Sequence, residues 1–260
     1  MTFKFMRDQF SPEIERLRKQ AAEGIREGRK TDRQPGFEIT RSRGIALYVK
    51  TLGGLKHFLD YARSLPDSEK AKVLDIGAGT TKALSELASI EDWSENLDLS
   101  GTSLTSSPKV DSYLGRENLT LTSVENLRGI KDGELAGVIS VHGAGWTKAP
   151  RLAAESIDRV LMPSGILKCA FAFDPKDKTD PRERYQKTFI NFFKHFKYDT
   201  YVNIRNVPNV LNIPGMKIKD TIFLAIKPPI KKGFSASSLA KADFEDMRQQ
   251  LDFLTGIDLN

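Results

Sequence analysis

Cysteine occurs once in the 260 residues, as Cys169, so no internal disulfide can form. It lies in an apolar stretch and reads as an inert core thiol. Histidine occurs three times (His57, His142, His195), and with the single cysteine these give no metal-ligand spacing. No apolar run approaches the roughly 20 residues of a membrane span. The opening residues 1–8 are too charged for a secretory leader. These absences fit a reducing, cytoplasmic setting. No internal repeat is present.

The composition, 39% hydrophobic and 28% charged, is that of a chain able to bury one good core and carry appendages. Net charge is +6 with pI near 9.2. The excess sits early: residues 1–50 hold 12 Lys/Arg against 7 Asp/Glu. Arg26, Arg29, Lys30, Arg33, Arg41 and Arg43 form the clearest cluster. A basic segment can track nucleic-acid phosphates. Glu13, Glu15, Glu23 and Glu27 are interleaved with it, which suits a solvated helix face equally.

The most informative stretch is residues 72–82. A buried strand (Val73, Leu74, Ile76) carries the carboxylate Asp75 and breaks into a turn with Gly77 and Gly79. An amphipathic run with Leu84 and Leu87 follows. Glycine bends the chain sharply and lets a ligand lie against the main chain. A turn with no ligand reads the same way. A dinucleotide-binding turn needs a third glycine, where Lys82 stands, and Asp75 inside the strand would repel a pyrophosphate. A phosphate-free, cationic ligand suits that carboxylate better.

The segment Val73-Leu-Asp-Ile-Gly-Ala-Gly79 therefore resembles the first motif of the class I S-adenosylmethionine (SAM)-dependent methyltransferases. Three further segments follow in the family's order. Asp98 lies 23 residues after Asp75, where the resemblance implies an acid at the end of the second strand that accepts both ribose hydroxyls. A third strand, 119–123, ends in Ser123 where the family often has an adenine-binding Asp; Val124 would pack on the adenine. A fourth strand, 136–141, leads into His142-Gly-Ala-Gly-Trp146. The helix and strand of residues 156–167 then resemble the segment typical of the small-molecule branch, with Ser156, Met162 and Ser164 as departures. The resemblance assigns cofactor contacts to Asp75, Ile76, Gly77, Ala78, Gly79, Asp98, Leu99, Ser123, Val124, Glu125 and Ser140. It implies SAM as cofactor and S-adenosylhomocysteine (SAH) as product. It also implies a doubly wound, mostly parallel seven-stranded sheet with the last strand antiparallel and helices on both faces.

Three parts are expected: an N-terminal helical cap (1–69), the SAM-binding core (70–227), and a linker with a C-terminal helix (228–260). Helices are expected over 11–30, 54–65 and about 239–254. Residues 174–182, highly charged with two prolines, stand where a substrate lid or a plain surface loop would lie. The aromatic stripe Tyr185, Phe189, Phe192, Phe193, Phe196 reads as core-facing. His142 is the one titratable side chain expected at the crevice mouth. It serves either as a general base or to shape the loop. No pattern names the acceptor. The leading expectation is transfer to a small molecule. The alternatives are an RNA- or protein-directed enzyme using the basic N-terminal region, and a non-catalytic domain that keeps the fold for binding.

Overall fold

Apolar stretches of strand length, separated by amphipathic runs, fold into one seven-stranded sheet with helices on both faces. The computed structural model describes residues 44–65, 70–79, 81–103, 118–144, 147, 149–173, 182–207 and 218–257. The helix expected over 11–30, the basic cluster from Arg26 to Arg43, Trp146, and residues 174–181 of the expected lid lie outside the described residues. Among the described residues no helix is long and apolar enough to cross a membrane.

The strands are β1 (Ala71–Ile76), β2 (Leu97–Ser103), β3 (Leu119–Leu121), β4 (Leu135–Val141), β5 (Leu161–Phe173), β6 (Asp199–Val207) and β7 (Ile218–Ile226). Their order is β3-β2-β1-β4-β5-β7-β6. Only β7 runs antiparallel to its neighbours, β5 and β6. This is the sheet the sequence leads one to expect. The order reverses at β1, so the β1–β4 boundary is the switch point where ligands of open α/β sheets lie.

Seven helices are described: α1 (Ile45–Leu52), α2 (Lys56–Arg63), α3 (Lys82–Ala88), α4 (Glu91–Ser94), α5 (Pro150–Val160), α6 (Arg182–His195) and α7 (Ala236–Thr255). One face of the sheet packs Val73, Ile139, Ile166 and Leu224 under α1, α2, α3 and α7. The other packs Leu74, Val138, Leu167 and Phe223 under α5 and α6. Phe189 and Phe193 of the aromatic stripe are buried there, while Phe196 is exposed. The strand β5 begins at Leu161, earlier than the stop at Met162–Gly165 suggests. A register shift against β4 absorbs the extra residues.

The C-terminal helix docks on the core. Asp243 of α7 is fully buried and pairs with Lys168 of β5 at 2.7 Å. Its carboxylate also accepts the amides of His57 and Phe58, and Gln250 accepts those of Leu55 and Lys56. The first turn of α2 is thus capped from α7 rather than locally. Lys168 also donates to the carbonyl of Gly54. Gly54 has φ +98, and a Cβ there would lie 2.2 Å from the Asp243 carbonyl oxygen, so only glycine lets the two backbones meet.

A second buried acid, Asp220 on β7, lies in register with Arg205 of β6. Burial pushes its carboxyl up to about 6, and Arg205 pulls it partly back. The folded state therefore binds this proton more tightly than the unfolded chain. Its contribution to stability is full below the unfolded value near pH 4 and is lost as pH rises through about 6. Asp220→Asn is expected to gain about 2–3 kcal/mol on the wild type between pH 4 and 7.5, read from urea midpoints. A difference that does not change with pH would show that the carboxyl is not desolvated.

Candidate functional site: the carboxyl ends of β1, β2 and β4

Asp75 is the fifth residue of β1 and points to the face covered by α1. It is 0% exposed, and the hydroxyl of Tyr48, also buried, donates to its Oδ2 at 2.5 Å. Beyond it the chain turns through Gly77 (φ +74) and Gly79 (φ +59) into α3. Thr102, at the end of β2, steadies this turn. Its hydroxyl accepts the Gly77 amide at 3.2 Å and its carbonyl accepts the Ala78 amide at 3.1 Å.

The post-β4 segment closes down on the turn. Gly143 lies so near Ile76 that a Cβ would stand 2.1 Å from the Ile76 carbonyl oxygen. A Cβ on Gly77 would stand 2.9 Å from the Gly143 Cα. Two glycines thus face each other across the switch point. Ser140 staples the pair: its hydroxyl donates to the Ile76 carbonyl at 2.9 Å and accepts the Ala144 amide at 2.8 Å. Next to them His142 takes φ +65, unusual for a side-chain-bearing residue, and its amide donates to the Ala170 carbonyl.

Several expected contacts stand elsewhere. Asp98 is the second residue of β2, exposed, and in register with Lys72 at the start of β1. Five residues at about 3.3 Å each separate it from the strand's end, so it cannot reach the crevice. Leu99, in register with Val73, is core under α3 and α4. The residue that does end β2 is Ser103, buried and uncharged. Ser140 is 0% exposed and its hydroxyl is used in the staple. Val124 belongs to the core beside α5 and presents little surface. Glu125 accepts from the Thr147 hydroxyl at 2.6 Å. The carbonyl of Ser123 accepts the amides of Asn126 and Leu127 and so forms the turn after β3. Asp75, Ile76, Gly77, Ala78, Gly79 and His142 are brought together. Sequence reasoning missed Tyr48, Thr102 and Gly143. The spacing of Ile45, Tyr48, Val49 and Leu52 signals a helix, but nothing signals Tyr48's partner 27 residues on.

These groups fit one class of ligand better than others. The glycine pair lets the two loops meet backbone to backbone, and the carboxyl group of Asp75 lies buried below the turn. Hydroxyl-bearing residues, Thr102, Ser103 and Ser123, end β2 and follow β3. The set suits a nucleoside that carries positive charge and no phosphate.

Sheet order and the antiparallel β7 give the chain the Rossmann-like methyltransferase fold. No family model matches the sequence, and no curated protein matches it. Among solved structures the chain is similar to the DszA carbon methyltransferase, with 16% identity and a TM-score of 0.51 over 72% of this chain and 54% of that one. It is also similar to CrArsM, an arsenic(III) SAM methyltransferase from Chlamydomonas reinhardtii (15%, TM-score 0.45, covering 75% and 77%), and to the [4+2]-cyclase SpnF (14%, TM-score 0.46, covering 68% and 81%). Identities this low speak for the fold alone.

Proposed function

We propose that this chain is a SAM-dependent methyltransferase acting on a small molecule. The observation that carries the reading is the glycine turn at the β1–β4 switch point of the seven-stranded sheet, where Gly77 packs against Gly143 above the buried Asp75. SAM, when bound, supplies a methyl group already activated on a sulfonium. The chain then has to place an acceptor, keep water out and, for a hydroxyl acceptor, take a proton. Gly77, Ala78 and Gly79 would lie along the donor, Asp75 would hold the negative charge beneath it, and Ser123 would face the adenine. His142 is the proposed proton acceptor. Its left-handed backbone is a strained feature of order 1 kcal/mol, held in place at the crevice mouth by the bond to Ala170. In this reading residues 70–227 carry the donor site, and the setting is cytoplasmic.

A second reading has its own observation. The end of β2 carries Ser103 where the resembled enzymes keep an acid, which favours a domain that keeps the fold for binding without turnover. Calorimetry with SAM and SAH, followed by a SAH-release assay over a panel of small acceptors, tests both. The enzyme reading expects saturable binding and turnover. It expects Asp98→Ala to leave affinity unchanged and His142→Ala to lower turnover alone. Binding without turnover on any acceptor favours the second reading, and no binding of either compound removes both.

A further inference from the structure

A cavity of about 350 Å³ opens at the end of the sheet opposite the glycine turn. Lys70 and Lys72 bound it at the start of β1. The turn before β4, residues 131–134, forms a second wall, and Met162 of β5 lies beside them. Four residues at about 3.3 Å each separate Lys72 from Ile76, so the cavity is distinct from the glycine turn. Its volume is within the range of small-molecule sites.

The wall of residues 131–134 is fixed by its own bonds. Arg159 of α5 donates to the carbonyls of Asn126, Leu127 and Ile130 and pairs with Asp132 at 2.7 Å. The Gly133 amide donates in turn to the Arg159 carbonyl. Glu134 accepts the Lys131 amide at 2.9 Å and the Lys72 ammonium at 2.6 Å. Those bonds, Lys72 foremost, hold its carboxyl below the ordinary value, so it is ionised.

The charge around the cavity is unbalanced. Both carboxylates that line it already have a cation at 2.7 Å or less. Neither Lys70 nor Lys131 has a carboxylate partner among the described residues. Three ammonium groups thus converge on one hollow, a self-repelling arrangement that an anion relieves. Asp98, in register with Lys72, adds one acid nearby; with Arg159 counted, the cations still exceed the acids. Lysine presents a point charge with three rotatable donors, which suits the oxygens of a phosphoryl group. Ala71, Ala136 and Met162 supply an apolar side.

We infer that this cavity is a second binding site, for a small phosphomonoester whose organic part packs on Met162. A charge of about −2 at neutral pH matches the two ammonium groups left over. Lys70 and Lys131 hold the phosphoryl oxygens. The site uses none of the glycine turn, and the inference does not rest on the SAM reading.

The test is calorimetric titration of phenyl phosphate into the full chain, in a low-salt buffer free of phosphate. Saturable one-to-one binding is expected, with inorganic phosphate about tenfold weaker. Lys70→Ala combined with Lys131→Ala is expected to weaken phenyl phosphate about tenfold or more. The urea midpoint should not move, since neither ammonium holds a carboxylate in the fold. Glu134→Gln keeps an acceptor for the Lys131 amide and withdraws one negative charge. It is expected to bind about three- to tenfold more tightly, a gain that a damaged fold would not give. A wild type that does not bind, or a double lysine variant that binds as well as wild type, overturns the inference. Equal weakening by Lys194→Ala with Lys241→Ala, exposed lysines outside the cavity, would assign the binding to overall charge and overturn it too. So would equal affinity for inorganic phosphate, which would mark an adventitious ion only.

Discussion

Truncating Asp243 to alanine is expected to remove about 3–5 kcal/mol of folding free energy, read as a collapse of the urea midpoint. That is a large share of the roughly 5–15 kcal/mol of a typical domain. The loss has two sources. Lys168, 1% exposed, keeps its charge without its 2.7 Å partner, and burial already disfavours that charge. The amides of His57 and Phe58 lose their acceptor at the start of α2. The pair itself need not be the stabilising element, since desolvation can consume the Coulombic gain. The double variant Asp243→Leu with Lys168→Met is therefore expected to recover about half of the loss or more. If the single and double variants are equally unstable, the amide caps carry the effect and the ion pair does not.

Gly143→Ala is expected to disturb the site most for the smallest chemical change. The new methyl would stand 2.1 Å from the main-chain oxygen of Ile76, the last residue of β1, a strand held between β2 and β4. The β4 segment must therefore back away, taking with it the Ser140 staple to Ile76 and Ala144. A loss of about 2–4 kcal/mol in stability is expected, together with loss of SAM binding by calorimetry. An alanine variant with wild-type stability and affinity would show that the two loops are not held against each other.

The glycine turn was legible because it rests on local pattern, whereas the mostly parallel seven-stranded sheet with its antiparallel last strand followed from the resemblance. Val73, Leu74 and Ile76 mark a buried strand, and Gly77 and Gly79 mark its break. The extent of β2 was not legible. The spacing from Asp75 and the resemblance place Asp98 at the end of the second strand, near the crevice. In the fold Gly101 is a packing glycine: a Cβ there would meet the Ala78 Cβ at 2.8 Å and Leu84 at 3.2 Å. The strand runs on through Thr102 and Ser103, and Asp98 recedes to the far end. Tyr48 and Asp243 were invisible for a different reason. Each acts on a partner 27 to 186 residues away, and no short-range pattern encodes such a contact.

The caps of α2 also set a clock on biosynthesis. The acceptors for the amides of residues 55–58 lie 185 to 195 residues downstream. At about 5–20 residues per second, a ribosome needs on the order of 10–40 s to deliver them. Through that interval the amides of residues 55–58 lack the acceptors that the fold gives them. A chaperone that shields residues 55–58 during elongation would protect a segment whose partners are among the last to be made.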